Sequence, residues 1–534
     1  MAIMDTQLNT WLMLEHAKKH FGDVEIVTQL SPTLTHRYTY KDMVERTFKL
    51  MNAIEKMGLA PGSRIATMAW NGYYHLECYF AVPSLKYVLH TLNSRLSPAD
   101  LVFIINDAKD EVIIAAPDLL PLLESIQQDI PTVKKFVVLG DKLPETTLRS
   151  VIAYEDLIGP EEGTHSVVDI PENTPSSLCY TSGTTGRPKG ALYTHRSTYL
   201  HALGVALPSG MGISPSDAVL PIVPMFHANA WGCVHASVIV GAKIAFAATP
   251  LDPESLVDFM NNEGVTLAAG VPTVWIQLAE ELSRRKIRLT RLREIVSGGS
   301  QPPRPLIERY RDEFGIPIIQ AWGMTETSPL ASMARPKHSL LDLKDSERLA
   351  RIETMAGLPV PGISVSIRDA NGEEAPWDSK TMGQLYVKGA WVIDSYLSGR
   401  SPESFTPDGW FATGDVAVGT PDGYFGIADR TKDMIKSGGE WISSVEMEGA
   451  IMGMPNVLEA CVIAVPDPKW QERPLAAVVP RDGMTVTLEE IHSHLTKVGF
   501  AKWQLPDRLE IISMVPRTSV GKFDKKELRS KFGD

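Results

Sequence analysis

Cysteine is scarce in this chain of 534 residues, which contains four, Cys78, Cys179, Cys233 and Cys461. They lie far apart and show no metal-ligand spacing, which argues against a disulfide scaffold and against a cysteine-based metal centre. We therefore expect reduced, mostly buried thiols in a cytoplasmic protein, and no catalytic cysteine.

The chain also has no long apolar run, and its first residues do not predict a secretory leader. The most apolar stretch, residues 234–248, is interrupted by His235, Gly241 and Lys243 and is too short to cross a bilayer. It predicts a buried helix followed by a buried strand, and no transmembrane segment. Residues 1–23 lack a basic segment followed by an apolar core, and their apolar residues recur at helical intervals, so we predict a first helix rather than a signal.

Acidic residues outnumber basic ones, because the chain has 64 Asp and Glu but only 52 Lys and Arg, and its formal net charge is −12. This balance argues against general affinity for nucleic acid or for an anionic membrane, although a local basic patch can still bind an anionic ligand. Hydrophobic residues make up 44% and charged residues 22%, which is typical of globular domains. The length predicts several structural units.

Strand-like apolar runs alternate with amphipathic segments of helical length over most of the chain, which predicts βα units and mainly parallel sheets. The runs are 64–68, 111–116, 134–139, 243–247, 266–270 and 316–321. Past about residue 380, short strands with Asp-Gly turns at 408–409 and 422–423 indicate a small β-rich unit.

The last hundred or so residues combine strand-like runs at 460–465 and 476–479 with helices near 488–498 and 525–532, which predicts a compact α+β unit. The predicted class is α/β. A large N-terminal domain of parallel sheets with helices, together with the β-rich unit, would span residues 1–430, and a mobile C-terminal domain 431–534.

The most informative segment is Thr181–Gly190, with the sequence TSGTTGRPKG. Its glycines let the backbone approach an anion closely, and its hydroxyls and Lys189 supply donors and charge for phosphate oxygens. The Walker pattern is absent, because Lys189 lies between Pro188 and Gly190 instead of preceding Ser or Thr at a helix start. Strand-like residues on both sides predict a strand-loop-strand hairpin that holds a triphosphate.

This segment resembles the signature of the adenylate-forming (ANL) superfamily, which contains acyl-CoA synthetases, luciferases and peptide-synthetase adenylation domains. Further segments resemble the family's motifs in the family's order. They are PMFHANAW (224–231), WGMTET (322–327), GWFATGD (409–415), DRTKDMIKSGGE (429–440) and PRTSVGK (516–522). The resemblance covers most of the chain and points to the branch of fatty acid:CoA ligases.

The resemblance implies a ligase that first joins a carboxylic acid to AMP, with release of pyrophosphate, and then transfers the acyl group to CoA. It implies Mg²⁺ and the co-substrates ATP and CoA, and the following site residues. The phosphates would be wrapped by Thr181, Ser182, Gly183, Thr184, Thr185, Gly186 and Lys189, and Mg²⁺ would be held by Thr181 and Glu326. Thr325 would contact the α-phosphate, and Lys522 would bridge the carboxylate and the nucleotide. Adenine would be held by Trp322, Gly299, Ser300 and Gln320, and the ribose by Asp415 and Arg430.

By the same resemblance, the small domain would rotate about Lys432 between the two half-reactions. The rotation would withdraw Lys522 and bring the segment from Lys436 to Trp441 to the active site. Outside a matching motif, a residue such as Lys432 is more often a solvated linker lysine.

The acyl group would enter a largely apolar pocket near His227, Trp231, Gly299, Gly323 and Met324. His227 would lie near the substrate carboxylate and the thioester, and Trp231 would gate or floor the channel, although core roles are the ordinary roles of such residues. We expect a medium- or long-chain fatty acid. The alternatives are a short thio-substituted acid such as a methylthiopropionate, or delivery of the acyl group to a separate carrier protein. A homodimer is the assembly that the resemblance implies.

Overall fold

The structure is a computed structural model, and it describes residues 3–167, 169–181, 187–438, 440–518 and 521–533. Its strands form four sheets. In chain order the strands are β1 (Glu25–Ser31), β2 (Leu34–Thr39), β3 (Arg64–Met68), β4 (Val88–Thr91), β5 (Asp110–Ala115), β6 (Lys135–Val138), β7 (Val151–Ala153), β8 (Pro175–Tyr180), β9 (Gly190–Thr194), β10 (Ala218–Pro221), β11 (Lys243–Phe246), β12 (Leu267–Gly270), β13 (Glu294–Ser297), β14 (Ile318–Gly323), β15 (Leu330–Met333), β16 (Leu358–Pro359), β17 (Ile363–Arg368), β18 (Met382–Gly389), β19 (Phe411–Gly419), β20 (Phe425–Arg430), β21 (Ile435–Ser437), β22 (Glu440–Ile442), β23 (Val457–Asp467), β24 (Gln471–Pro480) and β25 (Arg508–Ile511).

Helices alternate with these strands, as the sequence pattern predicts. They are α1 (Thr10–Phe21), α2 (Tyr40–Glu55), α3 (Tyr73–Ala81), α4 (Pro98–Ala108), α5 (Leu120–Ile126), α6 (Tyr154–Ile158), α7 (His195–Ala206), α8 (Cys233–Val240), α9 (Pro253–Asn262), α10 (Pro272–Arg285), α11 (Arg304–Arg309), α12 (Asp345–Arg348), α13 (Ser444–Ile451), α14 (Leu488–Lys497) and α15 (Lys525–Phe532). None of the helices in the described part of the chain combines the length and apolar character that a bilayer crossing requires.

Two large sheets dominate the first part of the chain. The seven-stranded sheet has the order β7-β6-β5-β3-β4-β8-β9 and is parallel except for the β8–β9 hairpin. The nine-stranded sheet has the order β16-β15-β14-β13-β12-β10-β11-β1-β2, with parallel pairing from β14 to β1 and antiparallel strands at both ends. One buried apolar cluster contains residues of both sheets and of helices α2, α3 and α8. The predicted α/β class is confirmed.

Two smaller antiparallel units follow. Strands β17 to β20 form the β-rich unit, which begins at Ile363, earlier than the expected residue 380, because residues 363–368 pair along their whole length with β18. Strands β21 to β25 form a separate sheet whose two apolar clusters draw only on residues after 434. The predicted domain boundary between residues 430 and 431 falls at the end of β20 and stays a prediction.

Candidate active site

A cleft of about 1670 Å³ lies where the carboxyl ends of β13 and β14 face the C-terminal unit. Gly298 and Gly299 follow β13, Trp322 and Gly323 end β14, and Lys522 reaches the cleft from the other side. Ligands of open α/β sheets bind outside the carboxyl ends of the strands, so this is the expected place for a site.

Most of the residues that the sequence singles out line this one cleft. They are Thr181, Lys189, His227, Trp231, Gly299, Ser300, Gln320, Trp322, Gly323, Met324, Thr325, Glu326, Asp415, Arg430, Lys432 and Lys522. Residues 182–186 of the proposed phosphate loop lie outside the described residues. Lys436 and Trp441 do not line the cleft; they pair with each other across β21 and β22, and the Trp441 side chain is 50% exposed.

The predicted hairpin around the phosphate loop is confirmed, since β8 and β9 pair in antiparallel register. Two hydrogen bonds join Thr181 and Lys189 at the ends of the two strands. The Thr181 N–H donates to the Lys189 carbonyl at 2.9 Å, and the Lys189 N–H donates to the Thr181 hydroxyl at 3.2 Å. The Lys189 ammonium lies 5.0 Å from the centroid of the Tyr396 ring. The hairpin thus holds Lys189 and the hydroxyl of Thr181 at the edge of the cleft.

Glu326 lies in the turn that follows β14, and its side chain is buried. The Tyr396 hydroxyl donates to its Oε1 at 2.5 Å. Burial raises the pKa of Glu326, and the hydrogen bond from Tyr396 and the charges of Arg430 and Lys189 offset part of this rise. Sequence reasoning missed Tyr396, because it lies outside the matched motifs and no local signal connects it with Glu326.

The oxygen atoms at this end of the cleft fit Mg²⁺. Glu326 contributes a carboxylate, and the Thr181 hydroxyl keeps a lone pair while it accepts the Lys189 N–H. Mg²⁺ is commonly held by one or two carboxylates together with substrate phosphates. The described residues contain no cluster of three or more His, Cys, Asp or Glu side chains that could hold a metal ion.

Asp415 belongs to β19 and is only 2% exposed. The Trp322 indole N–H donates to its Oδ2 at 3.2 Å, and Arg430 Nε lies 2.7 Å from its Oδ1. Burial raises the pKa of Asp415, while Arg430, Trp322 and Lys522 lower it in part. Asp415, Trp322 and Arg430 therefore form one connected group, as expected for residues that would bind a nucleoside together.

The pocket expected to hold adenine contains an unsatisfied acceptor. Gln320 is 4% exposed, and its side-chain oxygen finds no hydrogen-bond donor among the described residues. Its backbone is fixed within β14, where its carbonyl accepts the Ala334 N–H at 2.9 Å. A buried amide oxygen without a partner suits a site that a ligand with N–H donors completes.

Lys522 enters the cleft on a tight turn of the C-terminal unit. Its N–H donates to the Thr518 hydroxyl at 3.2 Å, and its Cε lies 3.3 Å from the point that a Cβ on Gly299 would occupy. Burial and the charge of Arg430 lower the pKa of Lys522 to about 8, against the opposing effect of Asp415 and Glu326. Helix α15, which follows this turn, is fixed to α13 because Lys525 Nζ lies 2.8 Å from the Glu448 carboxylate.

Part of the cleft wall is formed by a left-handed helical turn. Residues 228–232 all have positive φ, from 42° at Ala228 to 75° at Gly232. A left-handed helical conformation costs roughly 1–2 kcal/mol for each residue other than glycine, so other contacts must hold it. His227 precedes the turn, and burial and the charge of Lys522 lower its pKa to about 3, which keeps the imidazole neutral.

Trp231, within this turn, is 8% exposed and lies against two glycines. A Cβ on Gly298 would lie 2.9 Å from the indole ring of Trp231 and 3.1 Å from the Ala321 carbonyl oxygen. Gly298 therefore makes room for the indole at the cleft wall. Gly298 is not among the site residues predicted from the sequence, although it adjoins Gly299.

Two family profiles and several relatives of similar length match this chain. The sequence profile described as "AMP-binding enzyme" matches residues 14–397, and that described as "AMP-binding enzyme C-terminal domain" matches residues 446–522. The chain is 46% identical to a long-chain-fatty-acid–CoA ligase of Thermus thermophilus, over 99% of this chain and 96% of that protein. It is 40% identical to a medium-chain-fatty-acid–CoA ligase of Ectopseudomonas oleovorans (100% and 97%) and 40% identical to a 3-methylmercaptopropionyl-CoA ligase of Ruegeria lacuscaerulensis (98% and 97%).

Solved structures share the fold. The anthranilate CoA ligase AuaEII in complex with anthranoyl-AMP superposes with a TM-score of 0.88 at 24% identity, covering 99% of this chain and 98% of that one. ATP-bound MatB from Rhodopseudomonas palustris gives a TM-score of 0.82 at 24% identity, covering 98% and 99%. Because its two family profiles, its full-length relatives and its fold agree, the chain belongs to the AMP-binding enzyme family, in the acyl-CoA synthetase branch of the adenylate-forming superfamily.

Proposed function

We propose that the protein is an AMP-forming acid:CoA ligase whose substrate is a medium- or long-chain fatty acid. The observation that carries the proposal is the position of Lys522 in one cleft with Asp415, Glu326 and Trp231. The relatives that act on long- and medium-chain fatty acids support this choice of acid. The relative named for 3-methylmercaptopropionate supports the short thio-substituted acid as the second candidate.

In the first half-reaction a carboxylate oxygen of the acid attacks the α-phosphorus of ATP and pyrophosphate leaves. Two anions must approach each other, so the step depends on positioning and on neutralising negative charge. Lys522 and Lys189 both line the cleft and would supply cations, and Thr325 would contact the α-phosphate. Bound Mg²⁺, held by Glu326 and Thr181, would neutralise phosphate charge.

The nucleoside would bind where the cleft offers complementary groups. The Asp415 carboxylate would accept the ribose hydroxyls, with Arg430 beside it. Trp322 would contact adenine near Gly299, Ser300 and Gln320, and the free oxygen of Gln320 would accept an N–H of the base.

In the second half-reaction the CoA thiol attacks the acyl-adenylate carbonyl and AMP leaves, so no protein nucleophile is required. Lys522 lies in the cleft while Lys436 and Trp441 lie outside it, an arrangement that suits the first half-reaction. We propose that the small domain rotates about Lys432, at the boundary between residues 1–430 and 431–534. The rotation withdraws Lys522 from the cleft and brings Lys436 and Trp441 into it for thioester formation.

The proposal is tested by mass spectrometry of AMP and acyl-CoA formed from ATP, Mg²⁺, CoA and a panel of acids. The panel contains linear acids of increasing length and branched, aromatic and thioether acids. We expect the highest kcat/KM for a linear medium- or long-chain acid. A maximum at a short thioether acid would favour the second candidate, and acyl-adenylate without any acyl-CoA would overturn the ligase.

The charge of Lys522 predicts a pH dependence for the first half-reaction. Its pKa of about 8 in the free protein means that the ammonium form is lost as the pH rises through that value. Because the cation is the active form, kcat/KM for acyl-adenylate formation should fall about tenfold per pH unit above this pKa. ATP–pyrophosphate exchange without CoA measures this step and avoids titration of the CoA thiol.

The matched variant for this measurement is Lys522→Arg, which keeps the charge at every accessible pH. We expect it to be slower than the native protein but to show no alkaline decline up to about pH 10. A native profile that stays level through about pH 9.5, or the same decline in both proteins, would contradict the assignment to Lys522.

Trp231→Ala is expected to change acid preference more than it changes the KM for ATP. Removal of the indole opens space at the cleft wall, and each additional methylene buried there contributes about 0.8 kcal/mol, roughly fourfold in kcat/KM. The preference should therefore move toward longer acids. Trp377→Ala, at a tryptophan that does not line the cleft, is the matched control. An unchanged acid profile would assign Trp231 to the core.

A further inference from the structure

The left-handed turn presents its side chains in two directions. His227, Ala228 and Trp231 line the cleft, whereas Asn229 does not and is only 4% exposed. Asn229 therefore has no direct access to a bound acyl group. Its side chain lies among residues of β8 and α3.

Every polar atom of the Asn229 side chain faces a partner there. Its amide Nδ2 donates to the Ser177 hydroxyl at 3.0 Å. Its Oδ1 lies 3.4 Å from the Cys179 thiol and 3.5 Å from the Tyr79 hydroxyl. Burial raises the pKa of Cys179 to about 11, so the thiol keeps its proton and can donate. The single hydroxyl proton of Tyr79 is donated to the Met225 carbonyl, two residues before His227.

The backbone at this position favours asparagine for a second reason. Asn229 has φ 53° and ψ 46°, and asparagine adopts this left-handed region more readily than other residues with a Cβ. The turn then ends at Gly232, where a Cβ would lie 2.4 Å from the His201 ring of α7. The turn is thus fixed at its centre by a side chain and at its end by close packing of the backbone.

We propose that Asn229 is a positioning residue for acyl selectivity. Through Ser177 it holds the left-handed turn against β8, and the turn sets the direction of Trp231 at the wall of the acyl pocket. The inference rests on the proposed function, because it assigns selectivity within the same acyl site. It concerns the acid and not the nucleotide, since Asn229 contacts none of the groups proposed to bind ATP.

The test compares Asn229→Ala, Ser177→Ala and the double variant in the acid panel, with Asn371→Ala in an exposed turn as the control. The readout is the ratio of kcat/KM for the preferred acid to that for an acid two carbons longer. We expect Asn229→Ala to change this ratio about tenfold, because it removes a buried hydrogen-bonding group and disfavours the turn. The KM for ATP should stay within about twofold of the native value.

Ser177→Ala should change the ratio in the same direction by about threefold, and the double variant should change it no further than Asn229→Ala alone. If Asn229→Ala does not fold, Ser177→Ala, which removes a single oxygen atom, carries the test. Equal loss of activity for all acids, an unchanged ratio in Ser177→Ala, or additive changes in the double variant would overturn the inference. Failure of the native protein to form any acyl-CoA would instead overturn the proposed function.

Discussion

Lys522→Ala is expected to slow acyl-adenylate formation by about two to three orders of magnitude, the usual effect of removing a positioned electrostatic group at a reacting centre. Lys522 is a cation of the C-terminal unit that lies in the cleft beside Gly299, and Asp415 and Glu326 are the acidic groups that act on its pKa. Its removal leaves the approach of carboxylate to triphosphate without that charge. ATP–pyrophosphate exchange measures the loss.

The second half-reaction should be largely spared in the same variant. Acyl-adenylate supplied as a reagent already contains the bond that Lys522 would help to form, and the thiol attack needs no group from the Lys522 turn. Thioester formation from supplied acyl-adenylate should therefore stay within about threefold of the native rate, as expected for a residue that stabilises only the first transition state. Equal loss in both half-reactions would refute this division of labour.

Lys531→Ala provides the matched control for this experiment. Lys531 lies on α15, the helix that follows the Lys522 turn, and its side chain is exposed and does not line the cleft. A surface lysine of this kind contributes little to stability. Both half-reactions should remain at native rates, which separates loss of the cation in the cleft from a general disturbance of the C-terminal unit.

Sequence reasoning predicted the parts of the site that local segments encode. The hairpin around residues 181–190 follows from strand-like residues on both sides of a glycine-rich segment, and β8 and β9 pair accordingly. Trp322 and Asp415 lie in separate motifs, yet the structure joins them by a hydrogen bond of 3.2 Å. Their common place in the cleft agrees with what the family resemblance implies.

Features that depend on contacts between distant segments were not predictable in this way. Tyr396 reaches Glu326 across 70 residues of chain, and no pattern around either residue indicates the contact. The left-handed turn at 228–232 was equally unpredictable from the sequence, because alanine and tryptophan have no preference for positive φ. The partners of Asn229 in β8 and α3, together with the packing of Gly232 against His201 of α7, hold this conformation.

Asp415→Asn is expected to raise the KM for ATP by about 10- to 100-fold, since a hydrogen bond to a charged group contributes about 1.5–3 kcal/mol. The substitution keeps the shape of the side chain but removes the negative charge that lies 2.7 Å from Arg430 Nε. An amide offers one acceptor oxygen where the carboxylate offers two, so it cannot accept both ribose hydroxyls equally well.

Deoxynucleotides test the same assignment atom by atom. The native protein should discriminate strongly against 2′-deoxy-ATP and 3′-deoxy-ATP, because each lacks one of the two ribose hydroxyls that the buried Asp415 carboxylate would accept. Asp415→Asn should lose most of that discrimination. Asp422→Asn, in the turn of the same hairpin and paired on the surface with Arg351, should keep the native KM and the native discrimination. Undiminished discrimination in Asp415→Asn would place the ribose elsewhere in the cleft, since the hydroxyls would then be recognised by groups that the substitution leaves intact.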